Sequence, residues 1–123
     1  MAKALGIGGI FFKSPDPAAL AAWYKEWLRI ELDPSFNGCC FYANQLPEKS
    51  YTIWSPFDAG TEYFNPSDQP FMINLIVDDL LEALSQVAEG GASLVGEPEE
   101  LQFGHFGWFL DPHGNKVELW QPT

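Results

Sequence analysis

Glu118 is the side chain in this sequence best placed to do chemistry. It stands in the run Lys116-Val117-Glu118-Leu119-Trp120. Strand alternation puts Lys116, Glu118 and Trp120 on one face and Val117 and Leu119 on the other. A carboxylate beside a tryptophan on an otherwise apolar strand is exposed, paired, or aimed into a cavity. In a cavity it can pair with a ligand ammonium, serve as an acid or base, or hold a metal ion. Other reactive groups are sparser. His105 falls on the opposite side of its strand from Phe106 and Trp108, and His113 sits inside a tight turn. Cys39 and Cys40 are adjacent, so a bridge between them would be strained, and they read as two reduced thiols. Ser50 and Ser55 have no histidine at a spacing that argues for a triad. Gly6-x-Gly8-Gly9 precedes a strand rather than a helix and so fails the context of a phosphate loop. Asp78-Asp79 reads as a helix cap.

The elements that must position Glu118 form two similar halves. Ile7–Phe12 reads as an apolar strand. Asp16 as N-cap and Pro17 at the first helical position open a helix over Ala18–Leu28, with Leu20, Trp23, Tyr24, Trp27 and Leu28 at helical spacing. Strands follow around Ile30–Leu32, Cys39–Ala43 and Ser50–Ser55. Pro56–Pro70 reads as a connecting loop whose Tyr63 and Phe64 fold over something apolar. The second half repeats the order. Phe71–Val77 is a strand, Leu80–Glu89 a helix ended by Gly90-Gly91, and Ala92–Val95 another strand. Glu97–Glu100 reads as a charged turn. The hairpin Gly104–Leu110 and Lys116–Gln121 turns through Asp-Pro-His-Gly-Asn, which supplies the needed backbone chemistry. Ile53-Trp54-Ser55-Pro56 echoes Leu119-Trp120-Gln121-Pro122 at the close of each half.

Composition bounds the function. The 123 residues suit one domain, and a 46% hydrophobic content allows a sizeable core. No apolar run approaches a membrane span, and the N-terminus lacks a signal-peptide layout, which leaves a cytoplasmic location as the expectation. The net charge of −11 disfavours nucleic acid and anionic membranes as partners.

The Asp-Pro-x-Gly-Asn hairpin followed by an apolar residue, Glu and Leu resembles the last hairpin of the vicinal-oxygen-chelate superfamily, which includes glyoxalases, extradiol dioxygenases and bleomycin-resistance proteins. The resemblance covers nearly the whole chain. It implies an α+β fold of two βαβββ modules in residues 1–123: module one over about 1–57, a loop over 58–70, and module two over 71–123. Curved mixed sheets would form a cup with the helices outside, and a homodimer would be expected. In metal-dependent members the matching glutamate is the final metal ligand, which here is Glu118. The other three ligand positions fall near Gly9, Thr52 and Met72, none of the usual ligand type. A divalent site needs about three protein ligands, so the expectation is no cofactor.

Alternation places Phe11, Trp54, Met72, Asn74, Ile76, Phe106, Trp108 and Trp120 on the cup lining around Glu118, an aromatic surface suited to a small molecule. Three functions stay open. One is metal-free binding of a small aromatic or cationic molecule. Another is a glyoxalase-like lyase or dioxygenase-type enzyme using Glu118 as acid, base or metal ligand. The third is a structural dimer with a filled cup, in which Glu118 pairs with Lys116 or Asn115.

Overall fold

A computed structural model describes residues 1–5 and 7–123. Gly6, the first glycine of the Gly6-x-Gly8-Gly9 stretch, lies outside them. The fold is α+β, with two helices against one face of a four-stranded mixed sheet. The elements are α1 (Pro17–Leu28), β1 (Ile73–Ile76), α2 (Leu80–Glu89), β2 (Ser93–Leu101), β3 (Gly104–Leu110) and β4 (Lys116–Pro122), with a 3₁₀ turn at Ala43–Gln45. The strand order is β1-β4-β3-β2. β1 runs parallel to β4, and the other two pairs are antiparallel.

Both helices begin where their caps predict. The Asp16 carboxylate accepts from the Ala19 amide at 3.1 Å, and Asp79 accepts from the Glu82 amide at 3.1 Å, each satisfying a first-turn donor with no partner inside the helix. α2 buries Leu80, Ala83, Leu84 and Val87 on one stripe. That stripe meets Phe109, Val117 and Leu119, the inner-face residues of β3 and β4, and together they form the core. Gly107 lets the helix approach, since a Cβ there would stand 2.7 Å from Leu84 Cδ1. α1 covers the same core from the side. Trp23 packs at 6.0 Å from Phe109 and donates its indole N–H to the Gly90 carbonyl at 2.9 Å. Gln86 returns a bond to the Trp27 carbonyl at 2.8 Å.

The hairpin turn is held by a buried carboxylate. Asp111 accepts from the His113 amide at 2.9 Å, the Asn115 amide at 3.0 Å and the Asn115 side chain at 2.8 Å. Gly114 takes the positive φ of 81° that closes the turn. The Tyr24 hydroxyl donates to the same carboxylate at 2.9 Å and so ties α1 to the hairpin.

Two expectations require correction. Glu97–Glu100 is not a turn: β2 continues through it, with a register irregularity between Val95 and Glu99. An outer strand tolerates Pro98 because one of its edges has no ladder partner, and Gly96 takes up the irregularity at a φ of 67°. The second concerns the first half. Among the described residues no strand precedes Ile73, so Ile7–Phe12, Ile30–Leu32, Cys39–Ala43 and Ser50–Ser55 run without a backbone ladder. Their apolar side chains mark a face that could be buried, but a strand also needs a neighbour to pair with. Phe11 and Trp54 are accordingly 94% and 79% exposed. Among the described residues no helix is long and apolar enough to cross a membrane.

The core assignment makes a direct prediction. Phe109 is fully buried between the helices and the sheet. Phe109→Ala should lower stability by about 3–5 kcal/mol, read as an earlier urea midpoint at unchanged slope. A loss under about 1 kcal/mol would mean that this layer is not the core.

Candidate functional site

The sheet face away from the helices carries the candidate site. Register fixes its rows. Asn74, Glu118 and Trp108 are direct cross-strand partners on β1, β4 and β3, and Ile76, Trp120 and Phe106 form the next row. Glu118 is central and only 9% exposed. A carboxylate so buried requires donors, and three side chains supply them. Asn74 Nδ2 donates to Oε1 at 2.7 Å, Trp108 Nε1 donates to Oε2 at 2.7 Å, and the Tyr63 hydroxyl donates to Oε2 at 2.6 Å.

Tyr63 arrives from the long loop. That loop folds onto the face through its own aromatic cluster: Phe57 stacks on Tyr63 at 5.8 Å and meets Phe64 at 5.2 Å. The Tyr63 ring stands edge-on to Trp108 at 6.4 Å. Lys116 completes the seat. Its ammonium donates to the Tyr63 carbonyl at 2.6 Å and lies 5.1 Å from the Tyr63 ring centre and 5.9 Å from that of Trp108. Lys116 is 7% exposed. Desolvation pulls its ammonium below the ordinary lysine range, opposed by the nearby Glu118 charge. Burial, with the Glu118 bond and charge adding to it, pushes the Tyr63 phenol well above its usual range.

The second row is aromatic. Phe106 and Trp120 stack at 6.1 Å with planes 5° apart, and Tyr51 meets Trp120 edge-on at 5.1 Å. The Trp120 indole donates to the Phe103 carbonyl at 2.9 Å. The structure therefore brings together Asn74, Phe106, Trp108, Glu118 and Trp120 as the alternation predicts. Met72 lies just before β1 and is half-buried. Phe11 and Trp54 are not brought to the face, because the strands expected to carry them do not pair. Tyr63 and Lys116 are the residues that sequence reading missed as site groups. Glu118 pairs with neither Lys116 nor Asn115, since Lys116 bonds the Tyr63 carbonyl and Asn115 bonds Asp111.

The two histidines stand elsewhere. His113 Nδ1 lies 2.9 Å from Ser14 Oγ and joins the start of the chain to the hairpin turn. His105 pairs in register with Gln121 and Glu100, on the side of β3 that alternates away from Trp108. Gly9 and Thr52 are exposed. Among the described residues no three His, Cys, Asp or Glu side chains gather where they could hold a metal ion. Both Glu118 oxygens accept from N–H or O–H donors. An open cleft of about 570 Å³ lies between α2 and the irregular stretch of β2, lined by Leu81, Leu84, Leu94, Pro98, Gly107 and Trp108.

A sequence profile for the Glyoxalase-like domain matches residues 9–120. The chain belongs to the Glyoxalase-like domain family. Two solved structures resemble parts of this Glyoxalase-like domain. A member of the glyoxalase/bleomycin resistance protein/dioxygenase superfamily from Sphaerobacter thermophilus is 36% identical over 40% of this chain and 40% of its own, with a TM-score of 0.37. TnmS3, an antibiotic binding protein from a Streptomyces species, is 29% identical over 44% of this chain and 45% of its own, with a TM-score of 0.40. The domain thus spans less than half the length of either structure. No curated protein matches it.

The phenol shifts of this domain set its alkaline limit. Tyr63 and Tyr24 both hold their protons more tightly folded than unfolded. Below about pH 10, the ordinary tyrosine value, both states are protonated and the stabilisation is complete. Above it the unfolded chain releases protons that the folded chain keeps, so stability falls as pH rises. Urea midpoints measured from pH 8 to 11 should drop above about pH 10, and less steeply in Tyr63→Phe and Tyr24→Phe. Parallel curves for wild type and both variants would contradict the assignment.

Proposed function

We propose that the chain binds a small molecule through the aromatic sheet face around Glu118, without a bound metal ion. The observation that supports this most is the commitment of Glu118. Three donors take three of the roughly four lone-pair positions on its two oxygens, so the carboxylate serves mainly to hold the wall of a site. What a ligand would meet is ring surface from Tyr51, Tyr63 and the partly exposed Phe106, over the buried indoles of Trp108 and Trp120, the composition that suits a planar molecule. The charge of −11 argues against nucleic acid as the partner.

The same proposal covers the architecture. The second half forms one βαβββ unit, β1-α2-β2-β3-β4, and the site is proposed on that unit, with Met72 just before β1 at its margin. A second copy of the chain is the proposed neighbour. The free edge of β1 and the exposed Phe11, Phe41, Ile53 and Trp54 favour it, since unpaired strand edges and apolar patches of this kind are commonly covered by association. The two free cysteines suit a reducing, cytoplasmic setting.

Calorimetric titration with a panel of planar aromatic compounds tests the site, run beside elemental analysis of protein purified without chelator. At least one compound should bind, and Phe106→Leu should weaken it by about three- to tenfold, the loss expected for one aromatic contact. A stoichiometric metal ion that disappears in Glu118→Ala would overturn the metal-free reading in favour of a lyase- or dioxygenase-type enzyme. Light scattering should return twice the 13.8 kDa chain mass. A monomer at micromolar concentration would remove the second copy.

A further inference from the structure

The cation on the proposed binding face already belongs to the protein. An ammonium carries three N–H donors and no acceptor. Among the described residues, the one hydrogen bond from Lys116 goes to the Tyr63 carbonyl at 2.6 Å. The neighbouring carboxylate does not take a second, because Glu118 is bonded by Tyr63, Asn74 and Trp108. The ring faces of Tyr63 and Trp108 lie 5.1 and 5.9 Å from the Lys116 nitrogen. Those electron-rich faces are where a cationic ligand would rest, and Lys116 stands over both.

We propose that the ligand is a planar aromatic molecule carrying an acceptor oxygen (a carboxylate, phenolate or carbonyl) and that Lys116 holds this oxygen and excludes cationic aromatics. The inference rests on reading this face as a small-molecule site. Lys116 as a residue is 7% exposed, and desolvation is the main influence on its ammonium, so an oxygen acceptor would restore part of what it lost. A ligand ammonium in the same place would meet like charge at close range and find the two ring faces occupied. Phe106, partly exposed and stacked on the buried Trp120, offers the surface for the aromatic body.

The net charge of −11 pulls the other way and makes the test discriminating. At 0.15 M salt, exposed charges are screened beyond about 8 Å, so a preference for an anion under those conditions must come from local contact. Three probes share one ring system: 2-naphthoate, 2-naphthylmethanol and 2-naphthylmethylammonium. Titrated by tryptophan fluorescence into the full chain, 2-naphthoate should bind about tenfold or more tighter than the ammonium, the difference one charge-assisted bond provides. Lys116→Met should erase that preference, weakening 2-naphthoate by more than it changes 2-naphthylmethanol. Should that variant not fold by near-ultraviolet dichroism, Lys116→Gln takes its place. If the ammonium binds as tightly as the naphthoate, or the preference survives the substitution, the assignment of Lys116 is wrong although the face still binds aromatics. If no probe binds at millimolar concentration, the small-molecule reading falls with it.

Discussion

A carboxylate on an inner strand of a sheet has no water to solvate it, so its donors must come from the protein, and they must come from different elements. Glu118 on β4 takes one from β1, one from β3 and one from the loop that carries Tyr63. Each bond to a charged acceptor stabilises by about 1.5–3 kcal/mol, and each donor left without its acceptor would cost a comparable amount. This one buried charge therefore fixes the position of β1 against β4, the indole of Trp108 and the seat of the long loop. Asp111 does the same at the other end of the hairpin. It closes the turn through backbone and side-chain bonds and reaches α1 through Tyr24. One carboxylate anchors the helical layer and the other anchors the loop layer, with the hairpin between them.

That use of Glu118 shapes what the face can do. The Glu118 oxygens are directed at neutral donors inside the fold. The polar potential of the face shifts instead to Lys116, which has donors to spare and aromatic rings beneath it. Side chains that look equivalent along the strand thus have separate tasks. Glu118 gathers three donors, Lys116 bonds the loop, and the buried Trp120 bonds the Phe103 carbonyl.

The parts legible in the sequence were those set by local rules. Caps at Asp16 and Asp79, the glycine at 114 and strand alternation around Glu118 all depend on neighbours a few residues away, and the structure keeps them. The contacts that were not legible join distant residues. Tyr63 is 55 positions from Glu118, in a loop with no periodicity to aim its side chain. Lys116 was visible on the correct face, but its partner is a backbone carbonyl that no residue pattern marks. Glu97–Glu100 misled because clustered acids look like solvent-exposed turns, whereas an outer strand accepts them just as well. The first-half segments show the converse limit. Their alternation says which side chains could be buried, yet pairing depends on a neighbouring strand that alternation does not name.

On the proposed reading, the loop and the ligand would share one set of groups, and this would couple them. Tyr63 is held by its hydroxyl on Glu118, its carbonyl on Lys116 and its ring against Trp108. A molecule that enters beside Trp108 and engages Lys116 must either add to the bond with the Tyr63 carbonyl or replace it. Addition would draw loop and ligand together on one ammonium, closing the site as it fills. Replacement would loosen the loop as the ligand arrives, so that part of the binding energy is spent on opening. The ammonium geometry favours addition, because one of three donors is committed and the others are available without breaking it. On that argument the loop would belong to a bound state as much as to the free one, with Tyr63 standing edge-on to Trp108 in both.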